Sequence, residues 1–495
     1  MPATVPYDLA THLLSQESYE MAKAKSRTVF VCDACGNDSP KWEGRCSTCG
    51  EWNSMAQLRQ PAEAQQAGPW IGDASTAPVR LSEISMNETP RLITRSDEFD
   101  RVLGGGIVPG SLILIAGDPG IGKSTLLLKI ASDVSSPARP VVYVTGEESP
   151  AQVKIRADRL GLSGEDLFIL QATDTADVLG RMESLSPGLV VVDSIQTLHD
   201  TSVSSEPGSV AQIRECTRRM LEWSKATDVP VILAGHVTKG GDIAGPRVME
   251  HMVDVVLYME GDPVSSWRLL RSVKNRFGPT NEVGVFEMTG RGLIEVSDPS
   301  SALLSQRGRS AVGSVVVPIM EGTRSMLVEV QALTNPTSLP APRRVSTGID
   351  NGRMLMICAV LSRRVGLPLS NQDVIVNVAG GMRIAEPAGD LGVAVAIASS
   401  VSNTPVAQDI AVAGEIGLSG EVRRVPHLER RASEVTRLGL ERFISPSEIE
   451  TSDVKSSVDT VLVKTIGEAL SLCLPIQARP DPAFSLSGNP AEMNK

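Results

Sequence analysis

Cys32, Cys35, Cys46 and Cys49 stand in the pattern Cys-x2-Cys-x10-Cys-x2-Cys. Each Cys-x2-Cys knuckle turns two sulfurs toward one point. Two knuckles complete a tetrahedron around Zn2+, with Zn–S bonds of about 2.3 Å. Gly36 and Gly50 follow the second cysteine of each pair and permit the tight turns. So small a module scarcely folds without metal, which makes the zinc structural. Trp42 and Trp52 are expected to cap its core, with base stacking as a secondary expectation. Cys216, Cys358 and Cys473 are scattered in apolar surroundings. This is metal-site usage in a reducing compartment rather than a disulfide framework, and a cytoplasmic location is expected.

A second set of residues has the chemistry of nucleotide phosphates. Gly117-Asp118-Pro119-Gly120-Ile121-Gly122-Lys123-Ser124 fits G-x4-G-K-[ST], between an apolar strand and an apolar helix, Ser124–Ile130. The glycines let backbone N–H groups close on phosphates, and the helix N-terminus adds positive potential. Lys123 is expected to reach the β- and γ-phosphates of ATP and Ser124 to ligate Mg2+, with Thr125 supporting the α-phosphate. Asp193 ends the apolar run that starts at Leu189, where a carboxylate holds Mg2+ through water; helix capping is the plainer alternative. Gly146-Glu147-Glu148-Ser149 ends a third strand. Glu147, in preference to Glu148, is the candidate to polarise the attacking water; the plainer alternative is a solvated acidic helix start.

These groups need a scaffold. Strand-like runs at Ser111–Gly117, Pro140–Gly146, Leu189–Ser194, Val229–Gly235 and Asp254–Glu260 alternate with helical patterns, which predicts an α/β domain with a mostly parallel sheet. Such sheets place ligands at the carboxyl ends of their strands. The 495 residues divide into an extension without core character (1–28), the cysteine module (29–55) and a linker rich in Ala, Gln, Pro and Gly (56–80). The α/β domain (81–298), a Ser/Gly/Arg linker (299–313), a second α/β block (314–475) and a Pro/Ser/Asn-rich tail (476–495) follow. Extension and tail are expected to be disordered, and Met21 reads as a natural start. Hydrophobic residues at 41% and charged residues at 21% describe a globular protein, and no apolar run is long enough to span a membrane. Aromatics at 3% argue against recognition by many stacked bases, and a net charge of -11 excludes a generally basic nucleic-acid coat.

From about residue 27 to 475 the chain resembles RecA-fold ATPases, and more narrowly the bacterial RadA/Sms DNA-repair family. The resemblance rests on the cysteine cluster with Lys41-Trp42 and Trp52-Asn53, the phosphate loop, Gly146-Glu147-Glu148-Ser149, Gly235-His-Val-Thr-Lys239, Lys274-Asn-Arg-Phe-Gly278 and the rear block. It implies a RecA-like P-loop fold and assembly into a ring, expected to be hexameric, in which Lys274 and Arg276 act on a neighbour's ATP; a surface basic turn or DNA contact is the alternative. It further implies that His236 senses the γ-phosphate; a merely structural histidine is the plainer alternative. Loops at about 199–209 and 239–246 would be mobile and face DNA, with Lys239 and Arg247 as phosphate contacts. Residues 314–475 resemble the proteolytic domain of the Lon family through Val376-Asn-Val-Ala-Gly-Gly381, Glu386-Pro-Ala-Gly-Asp-Leu-Gly392 and Gly414-Glu-Ile-Gly-Leu-Ser-Gly-Glu-Val422. That alignment puts Asp390 in the place of the nucleophilic serine and Glu429 at or beside that of the lysine base. Neither can do that chemistry. The rear domain is therefore expected to be a ring-forming scaffold, with Arg423, Arg424, Arg430 and Arg431 as candidates to face DNA and solvated helix-face charge as the alternative.

The expectation is a DNA-dependent ATPase using ATP, Mg2+ and Zn2+. It would act on single-stranded and branched DNA beside the RecA recombinase, and not at a membrane. The rivals are an ATP-dependent Lon-type protease, a RecA-fold signalling ATPase or phosphotransferase, and a DNA scaffold whose ATP site only switches assembly.

Overall fold

A computed structural model describes residues 27–32, 38–48, 50–60, 80–83, 90–236, 246–261, 265–305, 307–308, 311–447 and 458–474. The expected extension, the Met21 start and the tail lie outside them.

The front module is a small antiparallel sheet of β1 (Arg27–Cys32), β2 (Asp38–Ser39) and β3 (Met55–Gln60), in the order β2-β1-β3. Its ladder runs from Arg27 opposite Gln60 to Cys32 opposite Met55. The module therefore extends beyond 29–55 at both ends, and the expected linker begins with a paired strand. Cys32, Cys46 and Met55, with Phe30 against them, form its core. Trp42 and Trp52 do not cap that core. They are 57% and 67% exposed, and the Arg45 guanidinium lies 5.8 Å from the Trp52 ring centre. A core this small is already filled by thiols, Met55 and Phe30.

The next unit runs α1 (Asp97–Leu103), β4 (Leu112–Gly117), α2 (Lys123–Val134), β5 (Val141–Thr145), α3 (Pro150–Leu160), β6 (Leu167–Gln171), α4 (Thr175–Leu185), β7 (Leu189–Asp193), α5 (Val210–Thr227), β8 (Val231–His236), α6 (Pro246–Met252), β9 (Val255–Glu260), β10 (Trp267–Asn275), β11 (Val283–Thr289) and β12 (Gly292–Glu295). Among the described residues these strands form one sheet in the order β12-β11-β10-β9-β4-β8-β7-β5-β6. The strands from β9 to β6 in that order are parallel, and β10 to β12 turn back antiparallel. Helices cover both faces of the parallel part, so its strands are continuously apolar rather than alternating. In β4, Ile113 and Ile115 join one core and Leu112, Leu114 and Ala116 the other.

The second unit begins inside the expected linker, with α7 (Pro299–Leu304), whose Leu303 joins the rear core. It continues β13 (Ser314–Glu321), β14 (Arg324–Pro336), β15 (Arg344–Thr347), α8 (Asn351–Val360), β16 (Gln372–Val378), α9 (Asp390–Ser402), β17 (Ile410–Val412), β18 (Glu415–Ile416), β19 (Val422–Arg423), α10 (Leu428–Arg437), β20 (Arg442–Pro446), β21 (Asp459–Val463) and α11 (Ile466–Cys473). Among the described residues the main sheet has the order β15-β16-β14-β13-β17-β20-β21, beside a β18-β19 hairpin. The two units share packing. Val283 and Val285 of β11 sit in the rear core. The buried Glu98 carboxylate accepts from Val285 N–H at 2.8 Å and Arg324 Nη1 at 2.6 Å. Arg271 Nη2 reaches Glu321 Oε2 at 2.7 Å. Among the described residues no helix is long and apolar enough to cross a membrane.

Candidate functional site

The carboxyl ends of β4, β5, β7 and β8 meet at one edge of the first sheet. Gly117 pairs with His236, and Thr145 pairs with Asp193. The ends of these four strands thus gather the expected phosphate-handling side chains on one rim.

Residues Gly117 to Gly122 form the loop between β4 and α2, with Asp118, Pro119 and Gly120 exposed and Ile121 buried. Gly122 caps α2 at φ 118°, a conformation a side chain would resist, and so lets the helix begin at Lys123. Ser124 and Thr125 follow in the first turn, half-buried. The Lys123 ammonium donates to the carbonyls of Gly117 at 2.7 Å and Asp118 at 2.9 Å. Burial pushes it down to about 8, against the opposing pull of Asp193, Asp118 and Glu147.

The acidic residues separate cleanly. Asp193 Oδ2 accepts from the fully buried Tyr143 phenol at 2.5 Å. Glu147 Oε1 accepts from Ser194 Oγ at 2.8 Å and lies 3.8 Å from His236 Nε2. Glu148 turns the other way and pairs with Arg156. The cause is local. Ser149 opens α3 with a capping box to Gln152 and Pro150 at the first position, so the chain turns into helix directly after Glu148. A Cβ at Gly146 would stand 2.0 Å from Thr197 Oγ1, so the absence of a side chain lets the Glu147 loop lie against the turn after β7. Burial, then the charge of Lys123, holds the His236 imidazole below its ordinary value.

Lys274 and Arg276 stand elsewhere. Because β10 runs antiparallel, Lys274 and Asn275 pair with Val256 and Val255 at the start of β9, whereas Met259 pairs with Gly117. They therefore lie at the opposite edge of the sheet, about 17 Å along β4 at roughly 3.3 Å per residue. Lys274 Nζ caps the end of α6, donating to the carbonyls of Glu250 at 2.6 Å and Val253 at 2.8 Å. Arg276 is half-exposed, with Nη1 3.2 Å from Asp254 Oδ1.

Two expectations need correction. The 199–209 loop is tied to α5 by side-chain contacts rather than hanging free of the body. The Gln212 amide donates to the carbonyls of Asp200, Val203 and Ser205 and accepts from Asp200 N–H, while Arg219 pairs with the buried Asp200 carboxylate. Arg431 cannot face DNA. It is fully buried, with Nη2 2.6 Å from Glu386 Oε2 and Nη1 2.8 Å from Glu386 Oε1. The spacing Leu428, Arg431, Ala432, Val435 marks it as part of the inward stripe of α10. Arg423, Arg424 and Arg430 are exposed. Lys239, the 239–245 part of its loop and the Arg247 side chain lie outside the described residues.

Of the four thiols, Cys32 and Cys46 are buried together, and Cys35 and Cys49 lie outside the described residues. Among the described residues no group of three or more His, Cys, Asp or Glu is placed to hold a metal ion. The two described thiols fit the expected donor set, being buried side by side in the small core. Tyr143, Ser194 and Asp254 were not singled out by sequence, since each acquires its role from a strand distant in the chain.

The sheet order, the phosphate loop and the acidic rim define a P-loop ATPase of RecA type, an ATP hydrolase that uses Mg2+. A family model described as an AAA domain matches residues 78–242, one described as a rubredoxin metal binding domain matches 30–57, and one described as subunit ChlI of Mg-chelatase matches 344–449. The chain is 46% identical over 458 residues to DNA repair protein RadA of Bacillus subtilis, covering 92% of this chain and 100% of that one. It is 47% identical to DNA repair protein RadA of Listeria monocytogenes, over 92% of this chain and 100% of the relative. The match to that of Halalkalibacterium halodurans is 47%, over 91% and 99%. The chain belongs to the bacterial RadA family of DNA-repair ATPases.

Proposed function

We propose that this chain is a DNA-dependent ATPase of repair and recombination that works as a ring, hexameric by family resemblance. It moves on single-stranded DNA and processes branched intermediates beside the RecA recombinase. The observation that carries the ring is the position of Arg276. At the far edge of the sheet it is too distant for its own phosphate loop, and half-exposed it is available to a neighbour's.

In this reading Lys123 and the N–H groups of residues 117–122 hold the β- and γ-phosphates. Ser124 and Asp193 hold Mg2+, which when bound neutralises phosphate charge. Glu147 accepts the proton of the attacking water, fixed by the Ser194 hydroxyl, and His236 beside it registers the γ-phosphate. Arg276 from the neighbour offsets the charge that develops as the γ-phosphoryl group departs, with Lys274 bracing its loop. The four thiols hold structural Zn2+. The rear domain is a scaffold, with Asp390 and Glu429 at the positions where a protease would need serine and lysine.

The test is ATP turnover with and without single-stranded oligonucleotide across salt. Stimulation that fades with rising salt is expected of sequence-independent phosphate contacts. Turnover indifferent to oligonucleotide at low salt, or peptide-bond hydrolysis by the purified chain, overturns the proposal.

A further inference from the structure

Asp254 is a buried carboxylate outside the phosphate rim, held on several sides. It is 2% exposed and precedes β9. Its Oδ2 accepts from Lys225 Nζ at 2.7 Å and from the Leu112 backbone N–H at 3.1 Å. Its own N–H donates to the Leu112 carbonyl at 2.9 Å, and its carbonyl accepts from Arg276 N–H at 3.2 Å. Lys225 Nζ also lies 5.8 Å from the centre of the Phe277 ring. The remaining oxygen, Oδ1, faces Arg276 Nη1 at 3.2 Å. Leu112 is the first residue of β4, whose last residue is Gly117 of the phosphate loop. A single buried group thus ties the base of the nucleotide strand to the backbone and side chain of Arg276.

We propose that Asp254 is a positioning residue for Arg276. It fixes the direction in which the guanidinium is offered to the neighbouring subunit and couples that direction to the subunit's own nucleotide strand. This rests on the intersubunit role of Arg276 proposed above. The geometry suits the task. Among the described residues Nη1 alone is engaged, leaving Nη2 and Nε available for a phosphoryl group. A buried carboxylate held at both ends is a rigid mount, and a charge-assisted contact is stronger than a neutral one. The side chain of Lys274, which caps α6, braces the same loop from the other side.

The test is a double-mutant cycle of Asp254→Asn and Arg276→Ala, read as kcat and KM for ATP. Asp254→Asn keeps the shape and weakens the contact. It should lower kcat about tenfold with KM nearly unchanged, as loss of a contact made in the transition state requires. In the Arg276→Ala background it should have no further effect, since coupled residues are not additive. Chains carrying Lys123→Ala should support turnover in wild-type neighbours better than chains carrying Lys123→Ala with Asp254→Asn. If Asp254→Asn loses fluorescent-ADP binding, Asp254→Glu replaces it in the same cycle, with the same expectation, because it keeps the charge that Lys225 needs and moves the oxygen that faces Arg276. Additive effects, or a change in KM alone, overturn the role of Asp254. An Arg276→Ala chain with wild-type turnover instead overturns the intersubunit reading.

Discussion

Arg353 grips Asp390 with two parallel contacts, Nε to Oδ1 at 2.5 Å and Nη2 to Oδ2 at 2.7 Å. The Ile416 backbone N–H completes the cradle at 3.2 Å, and the carboxylate is 2% exposed. Asp390 opens α9, where the Lon resemblance places a nucleophilic serine. In place of a nucleophile and its base, the position holds an ion pair that fastens α8 to α9. Glu429 lies on the exposed side of α10. What a protease would use for chemistry, this chain uses for packing.

The two neighbouring glutamates should behave differently. Glu147→Gln removes the candidate proton acceptor and should lower kcat by about a hundredfold or more while nucleotide binding persists. Glu148→Gln should cost little turnover, because Glu148 is committed to Arg156. Single-turnover hydrolysis and fluorescent-ADP titration on both variants separate the roles. Equal losses would remove Glu147 from its assigned place.

Cys46→Ser should release the zinc and unfold the front module while sparing ATP turnover without DNA, since its core holds little beyond the thiols. Metal content by mass spectrometry, before and after substitution, is the check. Retention of a full equivalent would exclude Cys46 as a ligand.

Arg431→Met should destabilise the rear domain by about 3–5 kcal/mol, because it strands the Glu386 carboxylate that Arg431 pairs with. Adding Glu386→Gln should recover part of the loss. Denaturant unfolding measures both. DNA affinity per folded chain should not change, in contrast to substitution of the exposed Arg423 and Arg424.

The Asp298 carboxyl is held down at about 2, first by its bond to Arg437, whose Nη1 and Nη2 both reach it at 2.7 Å. Its folded value lies below the ordinary one. The contact therefore stabilises fully above about pH 4 and is lost as pH falls through 2. Asp298 and Arg437 are 39% and 46% exposed, so solvent screening limits the contribution to roughly 0.5–1 kcal/mol. The deficit of Asp298→Asn should be constant from pH 7 to about 4.5 and vanish near pH 2. A deficit that persists at pH 2 would assign it to the capping of α7 instead.

The phosphate loop was legible because its chemistry is local: glycine spacing, one lysine and a following helix all lie within a few residues. The parallel strands were legible from their continuous apolar runs. Burial was less so. Arg431 is one of four arginines between 423 and 431, and only the period through Leu428, Ala432 and Val435 separates it from the three that face solvent. Tyr143 looks like core, and nothing nearby in the chain announces that its hydroxyl meets Asp193 across the β5–β7 pairing. Asp254 was hidden for the same reason, its partners lying at 112, 225 and 276. The Trp residues of the front module misled because apolar character alone does not say that so small a core is already full.

Val283 and Val285 belong by chain order to the ATPase and by packing to the rear sheet. Cutting the polypeptide at 298 would leave these valines facing water and strand Glu98 without Arg324. The two halves are therefore expected to melt together in a single calorimetric transition. An ATPase fragment ended at that point would precipitate, however clean the seam looks in the letters.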